Sequence, residues 1–131
     1  MDVVLISGSR NPQGQTARAM DAVAAGLKAG GAETQPFFLP TLDVRLCRQC
    51  NDNGWGLCRS EGRCVVEDDF ARLVDAIRSA EAVVFATPVY FSDLSESLRA
   101  FLYRLRRITR CEAGQPEIAG TRAVGVCVAG G

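Results

Sequence analysis

The sequence of 131 residues contains no histidine. That absence excludes serine–histidine and cysteine–histidine catalysis, histidine metal sites and the usual side chain that titrates near neutrality. Net charge is missing too, because fifteen basic and fifteen acidic residues cancel. A neutral chain with no polybasic or acidic tail offers no electrostatic footprint for nucleic acid. No apolar run is long enough to span a membrane, and the N-terminus lacks the basic segment and cleavage site of a signal peptide. A cytoplasmic, reducing location is therefore expected. Internal repeats and low-complexity segments are also absent, so one domain over residues 1–131 is expected. Without an acid–base histidine, the chemistry is expected to belong to a cofactor.

What the chain does have is a hydrophobic fraction of 47%, enough to bury a core. Val3, Val4, Leu5 and Ile6 form a continuous apolar run, the pattern of a parallel strand covered on both faces. Gly8, Asn11, Pro12 and Gly14 then break the pattern. A helix is predicted from Thr16, with Ala17, Met20, Val23, Ala24 and Leu27 at helical spacing and Gly30-Gly31 at its end. A second strand over 33–39 contains Pro36, which places it at a sheet edge. Residues 41–66 read as a long cysteine-bearing loop. Glu67, Asp68 and Asp69 put negative charge before a helix whose apolar face is Phe70, Leu73, Val74 and Ile77.

A third buried strand covers 82–86. Asp93 and Glu96 read as a capping box for a helix that buries Leu94, Leu98, Phe101, Leu102 and Leu105. Near its end, Arg104, Arg106, Arg107 and Arg110 read as solvated charge complementing the helix dipole; attraction for a nucleotide phosphate is the alternative. After Gly114 and Pro116, a fourth strand covers 123–129. The alternation implies an α/β class with a three-layer, doubly wound parallel sheet. The fourth strand is apolar without alternation and closes on Gly130-Gly131. A further strand and helix are expected after it, so the 131 residues read as C-terminally incomplete.

Residues 7–16, Ser-Gly-Ser-Arg-Asn-Pro-Gln-Gly-Gln-Thr, join the first strand to the first helix. The chemistry they suit is phosphate binding. Hydroxyls of Ser7, Ser9 and Thr16, the Gln15 amide and the first-turn N–H groups are all donors. Gly14 permits close backbone approach, Arg10 and Arg18 add positive charge, and the loop holds no acid. A Walker lysine and the spaced glycines of the dinucleotide fingerprint are both missing. An ordinary capped βα turn fits the same residues. Residues 87–92, Thr-Pro-Val-Tyr-Phe-Ser, follow the third strand directly. With strand order 2-1-3-4, ligands are expected in the crevice where the order reverses, between strands one and three. Both loops would meet there, with Tyr90 and Phe91 offering flat apolar faces and nearby amides available to the polar edge of a ring. Packing against the next helix is the alternative role for the two aromatics.

Gly8-Ser9, Gly14-Gln15-Thr16, residues 87–91 and residues 95–101 together resemble the NADPH-dependent FMN reductase family, which has the flavodoxin-like fold. The likeness runs in order along the whole chain. It implies FMN phosphate at Ser9, Arg10, Gly14, Gln15 and Thr16, and isoalloxazine contacts from Pro88, Val89, Tyr90, Phe91 and Ser92. The family pattern also places Gly130 and Gly131 at the ring's edge and adds a fifth strand to the sheet. Gln15 stands where asparagine is common, which keeps the donor amide.

Cys47, Cys50, Cys58 and Cys64 are spaced C-x2-C-x7-C-x5-C, and this loop resembles the iron–sulfur flavoprotein branch of the family. Four thiolates in one loop suit a [4Fe–4S] cluster or zinc. The branch uses a more compact pattern, whereas here 51–57 lengthen the second interval, made flexible by Gly54 and Gly56. A metal-free loop of packed thiols is the reading that the sequence favours. Trp55 reads as an anchor for the loop, with covering a flavin as its alternative. Cys111 and Cys127 read as packing residues.

The resemblance implies an oxidoreductase that passes hydride from a pyridine nucleotide, NADH or NADPH, through FMN to a second acceptor such as a quinone, a metal or free flavin. Thr87, Tyr90 and Ser92 are candidates for shaping that site. The alternative is a one-electron carrier of flavodoxin or iron–sulfur flavoprotein type, although dedicated flavodoxins are strongly acidic and this chain is neutral. A small molecule or a protein is the expected acceptor, with no nucleic acid and no membrane involved. A homodimer or homotetramer is expected from the family's habit.

Overall fold

The computed structural model describes residues 1–109 and 118–130. Four parallel strands, β1 (Asp2–Ser7), β2 (Glu33–Phe38), β3 (Ala82–Pro88) and β4 (Arg122–Val128), lie in the order β2-β1-β3-β4. The helices are α1 (Gln15–Ala29), the four-residue α2 (Leu57–Ser60), α3 (Phe70–Ser79) and α4 (Glu96–Ile108), with a 3-10 turn at Leu39–Thr41. This is the flavodoxin-like α/β arrangement. Gln15 rather than Thr16 opens α1, and Leu39 belongs to the turn rather than to β2. Pro36 sits on the edge strand β2, opposite Leu5, where its missing N–H costs no ladder bond on the open side.

Why β1 lies in the middle follows from its alternation of two apolar faces. Val3 and Leu5 pack with Met20 of α1 and with Val84 and Ala86 of β3. Val4 and Ile6 face the other way, against Phe70, Leu73, Val74 and Ile77 of α3 and Leu98 and Phe101 of α4. The sheet is thus the middle of three layers. Phe101 is fully buried, its ring 5.6 Å from Phe70 and 6.4 Å from Phe85. Such aromatic pairs add about 0.5–1.5 kcal/mol to area burial. Leu94, Leu102 and Leu105 are half-buried at the margin of this core. The fourth strand differs from its neighbours. Its residues Arg122 to Gly125 and Cys127 are exposed, Val124 at 59%. Cys127 is exposed among the described residues. Cys111 and Arg110 lie outside the described residues.

Two local readings of the sequence are corrected. Ser95, not Asp93, is the N-cap of α4, its hydroxyl accepting from the Leu98 amide at 3.4 Å. Asp93 is spent on the preceding turn, accepting from the Leu94 amide and pairing with Arg99. The basic cluster is not solvated either. Arg104 is 2% and Arg107 8% exposed, while Arg106 remains at the surface over the Tyr103 ring. Spacing explains this outcome: Arg104 lies three residues after Phe101 and four before Ile108, on the stripe that faces the core.

Buried arginine demands a partner, and Asp68 supplies one. Arg104 Nη1 and Nη2 reach Asp68 Oδ2 at 2.7 Å and Oδ1 at 3.0 Å, a two-pronged pair with both side chains at most 1% exposed. Nη1 also donates to the Arg45 carbonyl, and the guanidinium lies 4.2 Å from the Phe70 ring centroid. Asp68 further accepts from the amides of Arg45 and Phe70 at 2.8 and 3.1 Å. Burial pushes the Asp68 carboxyl up, but the hydrogen bonds from Arg104 and the two amides outweigh it and hold it below the ordinary value. The acidic run before α3 thus ties the long loop to α4.

Because the folded carboxyl titrates below the unfolded one, this contribution is complete above the unfolded value of about 3.9. It is lost as pH falls through the lower folded value. Replacement Asp68→Asn leaves Arg104 charged and unpaired in the core, and is expected to cost about 3–5 kcal/mol. Chemical denaturation at neutral pH checks this. A loss below 1 kcal/mol would show that the pair does not anchor the loop.

Candidate functional site

The strand order reverses between β1 and β3, so the loops leaving these two strands diverge and open a crevice at the sheet's carboxyl end. Gly8 sets its floor. Its amide donates to the Ala86 carbonyl at 2.8 Å, and its carbonyl accepts from Ser97 Oγ at 3.4 Å. A Cβ at Gly8 would collide with Ser95 Oγ and come within 3.0 Å of Leu98 Cβ. Only a glycine lets β1, β3 and the start of α4 approach this closely.

From Gly8 the chain turns through a relay of local hydrogen bonds. Ser7 Oγ accepts from the Ser9 amide, Ser9 Oγ from the Asn11 amide, and Asn11 Oδ1 from the Gln13 amide, at 3.2, 3.3 and 3.0 Å. These turns aim the chain into α1, whose N-cap Gly14 provides no side-chain cap and whose first turn carries no acid. The opening amides of a fifteen-residue helix therefore lack a side-chain acceptor, which suits an anion. Arg10 and Gln15 are exposed beside them and Ser9 is half-buried. Ser7 and Thr16 lie deeper, at 1% and 3% exposure, so Ser7 is a support for the loop rather than a surface donor.

The loop after β3 is built differently. Tyr90 and Asp93 exchange backbone hydrogen bonds at 3.0 and 2.9 Å, closing a two-residue turn. Both turn residues are left-handed, Phe91 at φ 50° and Ser92 at φ 62°. Such turns favour asparagine and glycine, and a left-handed phenylalanine costs about 1–2 kcal/mol. The ring gains nothing from the fold in return, for Phe91 is fully exposed and Tyr90 54% exposed. The amides of Val89 and Tyr90 are taken by the Val128 and Asp93 carbonyls. Phe91 and Ser92 are left as the donors of this loop. Pro88 is half-buried opposite Val128.

Between the two loops lies a cavity of about 620 Å³. Gly8, Arg10 and Tyr90 line it, together with Leu46, Ser97 and Arg99. Of the residues expected from sequence, Arg10 and Tyr90 are thus brought to one space, whereas Ser9, Gly14, Gln15, Thr16, Pro88, Val89, Phe91 and Ser92 do not line it. Gly130 is exposed past the end of β4, and Gly131 lies outside the described residues. Sequence reasoning missed Leu46 and Arg99. Arg99 is paired with Asp93, whose carboxyl is held below the usual range by that hydrogen bond and by the Leu94 amide. The α1 terminus, which carries no acid, fits the phosphate of an anionic nucleotide, and Tyr90 offers a face to a flat ring, while Glu96 puts one acid on the α4 side of the space.

A second centre sits behind α4. Cys47, Cys50, Cys58 and Cys64 all border one space of about 20 Å³, room for roughly one water. No three acids or thiols among the described residues converge tightly enough to hold a single ion. Arg104 and Arg107 line the same space. Arg104 Nη2 donates to Cys64 Sγ at 3.3 Å, and Arg107 donates to the Gly54 carbonyl with its guanidinium 4.1 Å from the Trp55 centroid. Trp55 therefore anchors the insertion to α4. In donor chemistry, four thiols with cations beside them suit an anionic iron–sulfur group.

The family model described as NADPH-dependent FMN reductase matches residues 1–131. An iron–sulfur flavoprotein of Methanocaldococcus jannaschii is 28% identical over 131 residues, covering all of this chain and 65% of the relative. The chain spans 46% to 65% of the length of the first three curated relatives it matches. Among solved structures, an NADH:FMN oxidoreductase in its apo form is 26% identical with a TM-score of 0.65, covering 99% of this chain and 59% of that one. The NAD(P)H:quinone oxidoreductase of Methanothermobacter marburgensis, 22% identical with a TM-score of 0.73 and covering 99% and 67%, shows the fold. No helix among the described residues is long and apolar enough to cross a membrane.

The tight approach at Gly8 gives a direct test. Gly8→Ala is expected to destabilise the fold by about 1–3 kcal/mol through overpacking. Adding Ser95→Ala removes the colliding hydroxyl and is expected to restore part of the loss. Thermal melts of the single and double variants check it, and a neutral Gly8→Ala would contradict the geometry.

Proposed function

The chain belongs to the NADPH-dependent FMN reductase family, and on that premise we propose that it seats FMN across the β1–β3 crevice and acts as an NAD(P)H-dependent oxidoreductase. Bound FMN supplies two-electron chemistry between a pyridine nucleotide and a second acceptor of the quinone, metal or free-flavin class. The observation that carries this reading is the uncapped, acid-free N-terminus of α1 opening beside a strained aromatic turn.

In this reading Ser9, Arg10, Gly14, Gln15 and Thr16 hold the phosphate, with the first amides of α1 as principal donors. Arg10 adds a loop cation that lines the crevice. Residues 88–92 take the ring: Tyr90 and Phe91 cover apolar face, and the amides of Phe91 and Ser92 serve its polar edge. Gly130, past the end of β4, would meet the same edge without a side chain. Left-handed geometry at Phe91 costs the free fold, and contact of the ring with a ligand would offset that cost. A second copy of the chain covering the rim would exclude water from it, which fits a homo-oligomer.

A second reading is supported by the thiol-lined space, in which all four loop cysteines share one wall set. Here the loop takes a [4Fe–4S] cluster, which carries single electrons, and the protein relays electrons rather than reducing its own substrate.

Anaerobic mixing of the FMN-loaded protein with NADPH or NADH is expected to bleach the flavin absorbance. No bleaching with either nucleotide would contradict the oxidoreductase reading. Phe91→Asn separates ligand role from fold role: relieving the left-handed strain is expected to raise stability by about 1 kcal/mol. The same change is expected to weaken FMN binding several-fold. Unchanged affinity would remove Phe91 from the ring site.

A further inference from the structure

We propose that the Nε–H groups of Arg104 and Arg107 are built to donate to the sulfur atoms of a thiolate-ligated [4Fe–4S] cluster in the cysteine-lined space, and that they raise its reduction potential. The inference rests on the second reading above and concerns residues that it does not require. Both side chains are more than nine-tenths buried, and both line the space bordered by all four thiols. Each buried Nε lacks a hydrogen-bond acceptor, and these are the two such side-chain atoms among the described residues. An unpaired buried donor costs about 1–3 kcal/mol, more when charged. Two of them on one wall, three residues apart on α4, point to a missing acceptor rather than to an accident of packing.

The character of that acceptor follows from the surroundings. Arg48, Arg104 and Arg107 line the space and no carboxylate does. Asp68 balances the charge of Arg104. Arg107 meets no carboxylate among the described residues, only the Gly54 carbonyl and the Trp55 face. Its charge is thus available to a negative group within the space. The backbone on either side of Cys50 is left-handed at non-glycine residues, Gln49 at φ 51° and Asn51 at φ 58°. Strain of this kind is kept where a side chain must be aimed. Hydrogen bonds to cluster sulfurs and nearby positive charge stabilise the more negative, reduced form, which raises the potential.

Arg107 carries the test, because Arg104 also supports Asp68. The FMN-loaded full chain, its Arg107→Gln variant and its Arg107→Lys variant are incubated anaerobically with ferrous iron and sulfide. Bound iron, acid-labile sulfide and the one-electron midpoint potential are then measured, with dithionite as reductant. The parent chain is expected to take up about four iron and four sulfide. Arg107→Gln is expected either to load equally and be about tenfold less reduced at a fixed potential, about 59 mV for one electron, or to lose iron while keeping FMN. Arg107→Lys, which keeps the charge without the Nε donor, is expected to fall between the two. If Arg107→Gln does not fold, the potential of Arg107→Lys decides the matter. A loaded variant with the parent's potential overturns the role of the arginine. A parent chain that takes up no iron overturns the cluster reading beneath it, and FMN retention in the same sample keeps that failure separate from the flavin assignment.

Discussion

At Gly8 the backbone of β1 passes so close to α4 that no side chain fits, and the amide and carbonyl on either side of that point bind Ala86 and Ser97. The contact fixes where β1 ends, where β3 ends and where α4 begins. Those three ends make the crevice. Because the sheet order reverses there, nothing in the sheet fills the gap between the departing loops. The relay of serine and asparagine turns then delivers α1 with its first amides uncapped, while the turn after β3 holds an exposed ring in a conformation it resists.

Arg104 plays the comparable part on the other side of α4. It reaches Asp68, the Arg45 carbonyl, Cys64 and the Phe70 ring, and so fastens both ends of the cysteine loop to one helix. Arg107 holds the middle through Gly54 and Trp55. A buried ion pair contributes little net stability against an apolar alternative. Its retention here is better understood as positioning, since Arg104 holds the Arg45 carbonyl and Cys64 on either side of the loop that carries the thiols. The crevice and the thiol space thus share α4 as a common wall, with Ser97 and Arg99 at its start and Arg104 and Arg107 near its end.

The apolar run of Val3 to Ile6 and the breakers after it made the central strand and its loop legible, because burial on both faces leaves no polar alternation to mislead. Pro36 marked the edge. The same pattern logic fails at Arg104 and Arg107, where charge suggests exposure and both side chains are buried. Their spacing from Phe101 and Ile108 was the available signal, and the partner Asp68 stands 36 residues away, beyond any local rule. Asp93 and Glu96 make the better-known capping pair and mask Ser95, yet Asp93 is engaged with Tyr90 and Arg99. Leu46 reaches the crevice through the path of a loop without regular structure, and no periodicity announces that.

The central claim is that a phosphate rests on the opening turn of α1. Riboflavin carries the same ring without that phosphate, so comparing its affinity with that of FMN isolates the contact. Two charge-assisted hydrogen bonds of about 1.5 kcal/mol each predict FMN binding at least about a hundredfold tighter. Equal dissociation constants for the two flavins, measured by fluorescence quenching on the same preparation, would contradict the account.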